Sequence, residues 1–240
     1  MAAAIVSTLQ SPLAVVDVLK EGRCSLVTAY VLVNFNIMYA IIQLFMTCFL
    51  NNIGLVFGDY MYLVQDMFFS LFLGLCIANT PCSDTLAVKL PPQTLFNPGL
   101  MAKLLIQLGV FPAFQAITLK ILYAQKWMTP FETDDPLNES YANEGAALNI
   151  IALAQLMIAS VVVTIGQPYR QPWYTNKSHL CVMSLHAAYI LYLLFGKDNE
   201  FMRGMDNKPA PHTFQGILIG IIAANVFVSA ICTKLADFFF

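Results

Sequence analysis

Residues 26–50 read LVTAYVLVNFNIMYAIIQLFMTCFL, a run that contains no Asp, Glu, Lys or Arg. About 20 apolar residues in a helix cross the roughly 30 Å hydrocarbon core of a bilayer, where any other open backbone would leave polar groups unpaired. The run therefore predicts a membrane-spanning helix. The same criterion, applied to the whole chain, finds six spans, at residues 26–50, 60–78, 100–124, 146–165, 180–195 and 214–236.

The composition also points to a bilayer. Of the 240 residues, 58% are hydrophobic and 11% are charged, and the mean hydropathy is +0.68. A soluble domain carries roughly 25% charged residues. The formal net charge of -2 provides no basic excess for neutralising phosphates, so nucleic acid is excluded as a partner. The scattered cysteines and histidines have no metal-ligand spacing, and no metal site is predicted.

The basic residues predict the topology of this all-α, polytopic protein. Lys and Arg near helix ends are retained on the cytoplasmic side, and an even number of spans puts both termini on one side. We expect both termini in the cytosol, because that arrangement places most of the basic residues there. The cytosolic set is Lys20, Arg23, Lys89, Lys103, Arg170, Lys177 and Lys234, and the far-side set is Lys126, Lys197, Arg203 and Lys208.

Two further features follow from this topology. Residues 1–25 are expected to be cytosolic, since the charges within residues 11–25 fit a helical stalk that leads into the six-helix domain at 26–240. Asn138 begins an Asn-Glu-Ser acceptor for N-glycosylation, which only a luminal or extracellular loop can use. A second acceptor, at Asn176, falls on the predicted cytosolic side.

Two carboxylates mark a candidate binding site. A charged side chain within a span costs about 2.5 to 3.5 kcal/mol on insertion scales, so each is a functional candidate. Asp59 and Asp66 are seven residues apart, close to two helical turns, so we expect them on one face about 10 Å apart along the axis. Alternatively, Asp59 after Gly58 caps its helix, and Asp66 pairs with an amide on a neighbouring helix.

Polar residues of the first span complete the candidate site. Tyr39 and Gln43 lie one turn apart on a common face. Amides, phenols and carboxylates together can bind and neutralise an ammonium group, and tyrosine rings add cation–π attraction. The predicted substrate-binding residues are Gln43, Asp59, Asp66, Tyr39 and Tyr62. His186, in the fifth span, is interpreted as a hydrogen-bonded packing residue.

Three stretches carry a family resemblance: Lys20–Leu26, Gly58–Asp66 and Gly166–Asn176. They resemble landmarks of P-type ATPases of the fifth class, over essentially the whole chain, from the end of the phosphorylation domain through the fifth to tenth membrane helices. The B subgroup, polyamine transporters of late endosomes and lysosomes, fits better than the helix dislocases of the A subgroup. The B subgroup has a second Asp seven residues after its Gly-Asp, which Asp66 matches, and a P-[FY]-R-x-P-x-Y-T-N signature, which residues 168–176 match.

The resemblance implies a mechanism. Gln43, Asp59 and Asp66 match positions lining a polyamine pathway that runs from the lumen to the cytosol. The family uses ATP and Mg with a phosphorylated Asp in a DKTGT motif, which this chain lacks. We therefore assign no catalytic residue and no cofactor to it, and expect that it cannot hydrolyse ATP alone. Met61 replaces a common family glutamine, and Gln65 stands where an apolar residue is usual.

Three functions remain open from the sequence. The first is the transport half of an ATP-driven polyamine or cation transporter in the late endosome, lysosome or vacuole, partnered by the bilayer, its cationic substrate and a missing amino-terminal half. The second is a non-catalytic six-helix module that regulates or scaffolds a full-length homologue. The third is a relative of the helix dislocases, which Asp66 and the motif at 168–176 disfavour.

Overall fold

Six long helices make up the bundle. The structure, a computed structural model, describes residues 11–92, 94, 96–130 and 140–239, and within this part six helices are long and apolar enough to cross a membrane. The prediction of an all-α protein with six spans is confirmed. The glycosylation acceptor Asn138 lies outside the described residues. The helices are α1 (Ala14–Asn52), α2 (Asp59–Leu63), a π-helix (Val64–Ser70), α3 (Leu71–Ala78), α4 (Pro98–Tyr123), α5 (Asn143–Val162), α6 (Lys177–Phe195), α7 (Glu200–Gly204) and α8 (His212–Phe239).

The second span, Asp59–Ala78, consists of α2, the π-helix and α3 in continuous succession. The short helix α7 lies between the spans α6 and α8. The end of the bundle where α1 begins is called the predicted cytosolic end below, and the other end the predicted luminal end. The side of the membrane on which the termini lie stays a prediction, as does the division into a stalk and a membrane domain.

Helix α1 is longer than the bilayer requires. Its 39 residues extend over about 58 Å at 1.5 Å each. It begins at Ala14, whereas the predicted first span begins at Leu26, so the charged stretch before the span belongs to the same helix. The buried residues of α1 recur every three or four positions from Cys24 to Leu50, which gives one continuous packing stripe.

Helix α5 forms the centre of the bundle. It is buried along nearly its whole length, with α1, α4, α6 and α8 packed around it. Small residues allow this, since they let helix backbones approach closely where lipid provides no hydrophobic drive. Its small buried residues are Gly145, Ala146, Ala147, Ala152, Ala154, Ala159 and Ser160.

Two buried amides join three of these helices. The Gln115 amide nitrogen on α4 donates to Gln155 Oε1 at 2.9 Å and to the Ile42 carbonyl oxygen at 3.1 Å. Gln155 on α5 in turn donates to the Phe111 carbonyl oxygen at 2.9 Å. Both glutamines are fully buried. Because hydrocarbon offers no water as an alternative partner, these bonds fix α4 and α5 against α1, next to Gln43.

The signature stretch at 168–176 closes the predicted cytosolic end of the second span. Asn176 Nδ2 donates to the Cys76 carbonyl oxygen at 2.8 Å and to Thr80 Oγ1 at 3.1 Å. Arg170, wholly buried, donates from Nη2 to the Ile77 carbonyl oxygen. The last carbonyls of a helix have no intrahelical partner. The stretch therefore works as a C-terminal cap built from a distant loop.

The linker between the second span and α4 is also bound by α1. Lys20 Nζ donates to the Asp84 carbonyl oxygen at 2.6 Å, and the Cys82 thiol donates to Glu21 Oε1 at 3.1 Å. Burial, followed by the hydrogen bond and charge of Glu21, raises the pKa of the Cys82 thiol to about 11. The linker after the second span is thus held between the stalk part of α1 and the loop before α6.

Candidate functional site

The candidate site is built on an irregular turn of the second span. Residues Val64–Ser70 form a π-helix, in which hydrogen bonds run from residue i to i+5 and the turn is wider than in an α-helix. Its buried positions, Gln65 and Phe69, continue a row spaced by four that begins at Met61 and ends at Ile77. In a regular α-helix a spacing of four drifts around the axis, and the wider turn keeps the row facing the bundle.

Asp66 lies on this wide turn and accepts two hydrogen bonds from α1. Tyr39 donates its hydroxyl hydrogen to Asp66 Oδ1, and Gln43 Nε2 donates to the same oxygen at 2.7 Å. Tyr39 and Gln43 are half-buried, while Asp66 is exposed, meaning that no other part of the described chain covers it. The structure therefore brings together three of the five predicted site residues.

The contact between α1 and the second span is called the seam below; it carries Tyr39, Gln43 and Thr47 on α1 and Tyr62 and Asp66 on the second span. Tyr62 lies nearer the predicted luminal end. Its hydroxyl is 2.8 Å from Thr47 Oγ1, and its ring packs edge-on against Phe57 at 4.6 Å between centroids. Because α1 and the second span are antiparallel, Thr47 faces Tyr62 while Tyr39 and Gln43 face Asp66. The seam is a polar strip between two otherwise apolar helices.

Two residues that were not predicted as site residues, Gln65 and Asn149, support the site from the interior of the bundle. The fully buried Gln65 accepts from Gln43 Nε2 at 3.3 Å and donates to Asn149 Oδ1 on α5 at 3.0 Å. These bonds connect the wide turn to the central helix. The available signal was an amide within each apolar run, since amides join helices in membranes.

Asp66 has no cationic partner within the described residues. The ion pairs there are Lys20–Asp17, Lys103–Asp237 and Arg203–Asp198, and none involves the seam. Both donors to Asp66 bind Oδ1, so Oδ2 receives no hydrogen bond from the part of the chain that the structure describes. The carboxylate therefore has an oxygen free for a positively charged ligand.

Asp59 lies apart from this group. It is exposed in the first turn of α2, and none of the described side chains of the seam bonds to it. Gly58, just before it, is closely approached by Asp206, since a Cβ at that position would be only 2.1 Å from Asp206 Oδ2. Gly58 thus leaves room for a carboxylate beside Asp59, at the predicted luminal end. The role of Asp59 as a ligand stays a prediction.

The predicted luminal end also carries an ordered ion pair. Arg203 donates from Nε and Nη2 to the two carboxylate oxygens of Asp198, at 2.9 and 2.7 Å. These bonds and the positive charge of Arg203 lower the pKa of Asp198. Among the described residues, no three His, Cys, Asp or Glu side chains lie close enough together to hold a metal ion.

Fold and geometry together define the class: a six-helix integral membrane domain with a carboxylate, that of Asp66, within its second span. No protein-family model matches the chain. Curated relatives do. The chain is 26% identical over 239 residues to polyamine-transporting ATPase 13A2 of Mus musculus, which covers 95% of the chain and 20% of that protein.

Two further relatives agree. The chain is 27% identical over 227 residues to the probable cation-transporting ATPase catp-6 of Caenorhabditis elegans, covering 92% of the chain and 18% of the relative. It is 23% identical over 215 residues to the vacuolar cation-transporting ATPase YPK9 of Saccharomyces cerevisiae, covering 89% of the chain and 14% of the relative. The chain is thus a homologue of type 13A P-type ATPases, and spans a fifth or less of their length. The resemblance predicted from the three motifs is confirmed.

Proposed function

We propose that this chain forms the cation-binding part of a polyamine-transporting P-type ATPase, with Asp66 as the central ligand. The observation that supports this most is the carboxylate itself: a negative charge at membrane depth, oriented by Tyr39 and Gln43 and without a basic residue beside it. A charge in such a place is expensive and is a functional site by default. A cationic substrate would remove that cost when it binds.

The seam suits a primary or secondary ammonium group. Asp66 Oδ2 would accept a charge-assisted hydrogen bond from the ammonium, while Tyr39 and Gln43 keep Oδ1 in place. The Tyr39 and Tyr62 rings would add cation–π attraction. Asp59, seven residues earlier on the same span and nearer the predicted luminal end, would bind a second amino group of the same molecule. A linear polyamine meets this spacing of charges, whereas a monovalent metal ion would use one carboxylate only.

The wider mechanism is proposed by analogy with the relatives. Their names describe polyamine and cation transport, and one is vacuolar. We place this chain in a vacuolar or endolysosomal membrane, moving polyamine from the lumen to the cytosol. ATP and Mg would be used by catalytic domains outside these 240 residues, so the amino-terminal half of a pump is the expected partner.

A chimaeric pump tests the proposal. The matched region of the mouse 13A2 relative is replaced with this chain, and spermine-stimulated ATP hydrolysis is measured in proteoliposomes. In the assembled pump the ammonium and Asp66 would form a buried pair, and truncating one member of such a pair costs about 2 kcal/mol or more, so Asp66→Asn should raise the spermine concentration for half-maximal stimulation about 30-fold or more.

The matched control is Asp198→Asn, which makes the same chemical change on an exposed loop and should leave stimulation unchanged. If Asp66→Asn is stimulated as well as the unmodified chimaera, Asp66 is not the substrate ligand. A chimaera that assembles but responds only to hydrophobic peptides would support the dislocase reading. A chain that only alters the turnover of a co-expressed complete pump would support the regulator reading.

A further inference from the structure

The wide turn that carries Asp66 lies against a single histidine of α6. His186 Nε2 is 2.9 Å from the Phe68 carbonyl oxygen, and its ring stacks on Phe69 with 3.9 Å between centroids and 17° between planes. His186 is 1% exposed. The histidine thus contacts both the backbone and a side chain of the π-helix, within three residues of Asp66.

The backbone contact has a physical reason. Where an α-helix changes to a π-helix, the hydrogen-bond ladder changes register, and some backbone groups lose their regular partner. In a membrane no water replaces that partner, so neighbouring helices must supply one. A carbonyl oxygen can only accept, so His186 must carry its proton on Nε2. Nδ1 is buried and has no partner in the described part of the chain.

We propose that His186 is a positioning residue for the substrate carboxylate. By donating to the Phe68 carbonyl, it stabilises the wide turn, and the wide turn sets the rotation that directs Asp66 towards Tyr39 and Gln43. Gln65 stabilises the same turn from α5 through Asn149. Helices α5 and α6 carry no predicted substrate-binding residue, yet through these contacts they determine the orientation of the Asp66 carboxylate. The functional consequence rests on the proposed role of Asp66 in polyamine binding.

Three substitutions separate the contributions. His186→Gln keeps a donor at the position of Nε2 and loses the stacked ring. His186→Phe keeps a ring for stacking on Phe69 and loses the donor. His179→Ala is the matched control, because His179 lies on the same helix, is equally buried at 1% and faces Ser160 on α5 instead of the wide turn.

Two measurements are made on the chimaeric pump that carries this chain, in lipid nanodiscs. The first is amide hydrogen exchange of the peptide covering residues 64–73. The second is the dissociation constant for radiolabelled spermine. We expect His186→Phe to accelerate exchange in this peptide and to weaken spermine binding about two- to tenfold, as for the loss of one buried hydrogen bond. His186→Gln and His179→Ala should leave both close to the unmodified chain.

The outcomes distinguish this proposal from the proposed function. Unchanged exchange at 64–73 in His186→Phe would overturn the positioning role, whether or not spermine binds. Faster exchange with unchanged spermine affinity would also overturn it, because the turn would then not direct the ligand. Equal spermine binding by the unmodified chain and by Asp66→Asn would refute the proposed function, and exchange would still decide whether His186 stabilises the turn.

Discussion

The bond between Gln65 and Asn149 should contribute measurably to the stability of the bundle. Gln65 is wholly buried and donates to Asn149 Oδ1 at 3.0 Å, while accepting a longer bond from Gln43. Interhelical hydrogen bonds in membranes average about 0.6 kcal/mol and reach about 1.7. Gln65→Leu also leaves the Asn149 amide unpaired, which costs about 1 to 3 kcal/mol where no water reaches it. Leu fits the vacated volume closely.

We therefore expect Gln65→Leu to lower the free energy of unfolding by about 1 to 2 kcal/mol. Asn149→Leu should cost a similar amount for the same reason. The double substitution should cost about 1 kcal/mol less than the sum, because the bond is lost only once and no amide is left unpaired. Steric trapping in bicelles, which reports unfolding without leaving the bilayer environment, measures all three values.

A control pair makes the result decisive. Gln107 on α4 is also buried and donates to the Ser229 carbonyl oxygen on α8, remote from the wide turn. Gln65→Leu combined with Gln107→Leu should be additive within about 0.3 to 0.5 kcal/mol. If the Gln65 and Asn149 substitutions are additive to the same degree, the bond makes no net contribution and the reasoning is refuted.

Three predictions concern the ends of the bundle. Arg170→Ala should destabilise the chain by about 2 kcal/mol or more in the same assay, because it removes the hydrogen bond to the Ile77 carbonyl oxygen and leaves a large cavity; a neutral effect would contradict the capping role. Asp198 has its pKa lowered from 3.8, so Asp198→Asn should reduce thermal stability slightly at neutral pH, and the difference should begin to shrink as the pH falls below about 4 and vanish only below the lowered pKa of Asp198. Cys82, with its pKa raised to about 11, should react slowly with N-ethylmaleimide at pH 8, and Glu21→Gln should speed that reaction by lowering the pKa of the thiol; an unchanged rate would exclude Glu21 as a cause.

The number of spans was predictable because hydrocarbon thickness imposes a length on every apolar run. The start of α1 was not. Hydropathy detects where a helix enters lipid, and it gives no signal where a helix begins in water. The charges within residues 11–25 predicted a helical stalk, and the structure shows that it forms one helix with the first span, beginning at Ala14. The loop at 168–176 was recognised as a motif, but only the structure shows that Arg170 and Asn176 cap the second span.

The meeting of Tyr39, Gln43 and Asp66 followed from helical periodicity, since one face of α1 had to carry both donors. The wide turn did not follow. A π-helix has a wider turn than an α-helix, so it changes which residues share a face. The seven-residue spacing of Asp59 and Asp66 predicts a common face only for a regular α-helix. Asn149 was missed for a different reason: an isolated amide in an apolar run indicates a bonded partner and does not say which one.

The apolar surroundings of Asp66 imply that another group must cover this carboxylate, and a bound cation would meet that requirement. On its exposed side, the neighbouring Leu63 and Met67 are apolar and each 55% exposed. A carboxylate facing lipid among such residues would cost about 2.5 to 3.5 kcal/mol or more. Tyr39 and Gln43 offset part of that cost at Oδ1 only. The remaining oxygen needs a donor, which an ammonium group supplies directly, and which polar helices can supply when the substrate leaves. Under the proposed function, alternation between these two partners at Asp66 Oδ2 is what the transport site must provide, and it would account for a carboxylate that is oriented from one side and open on the other.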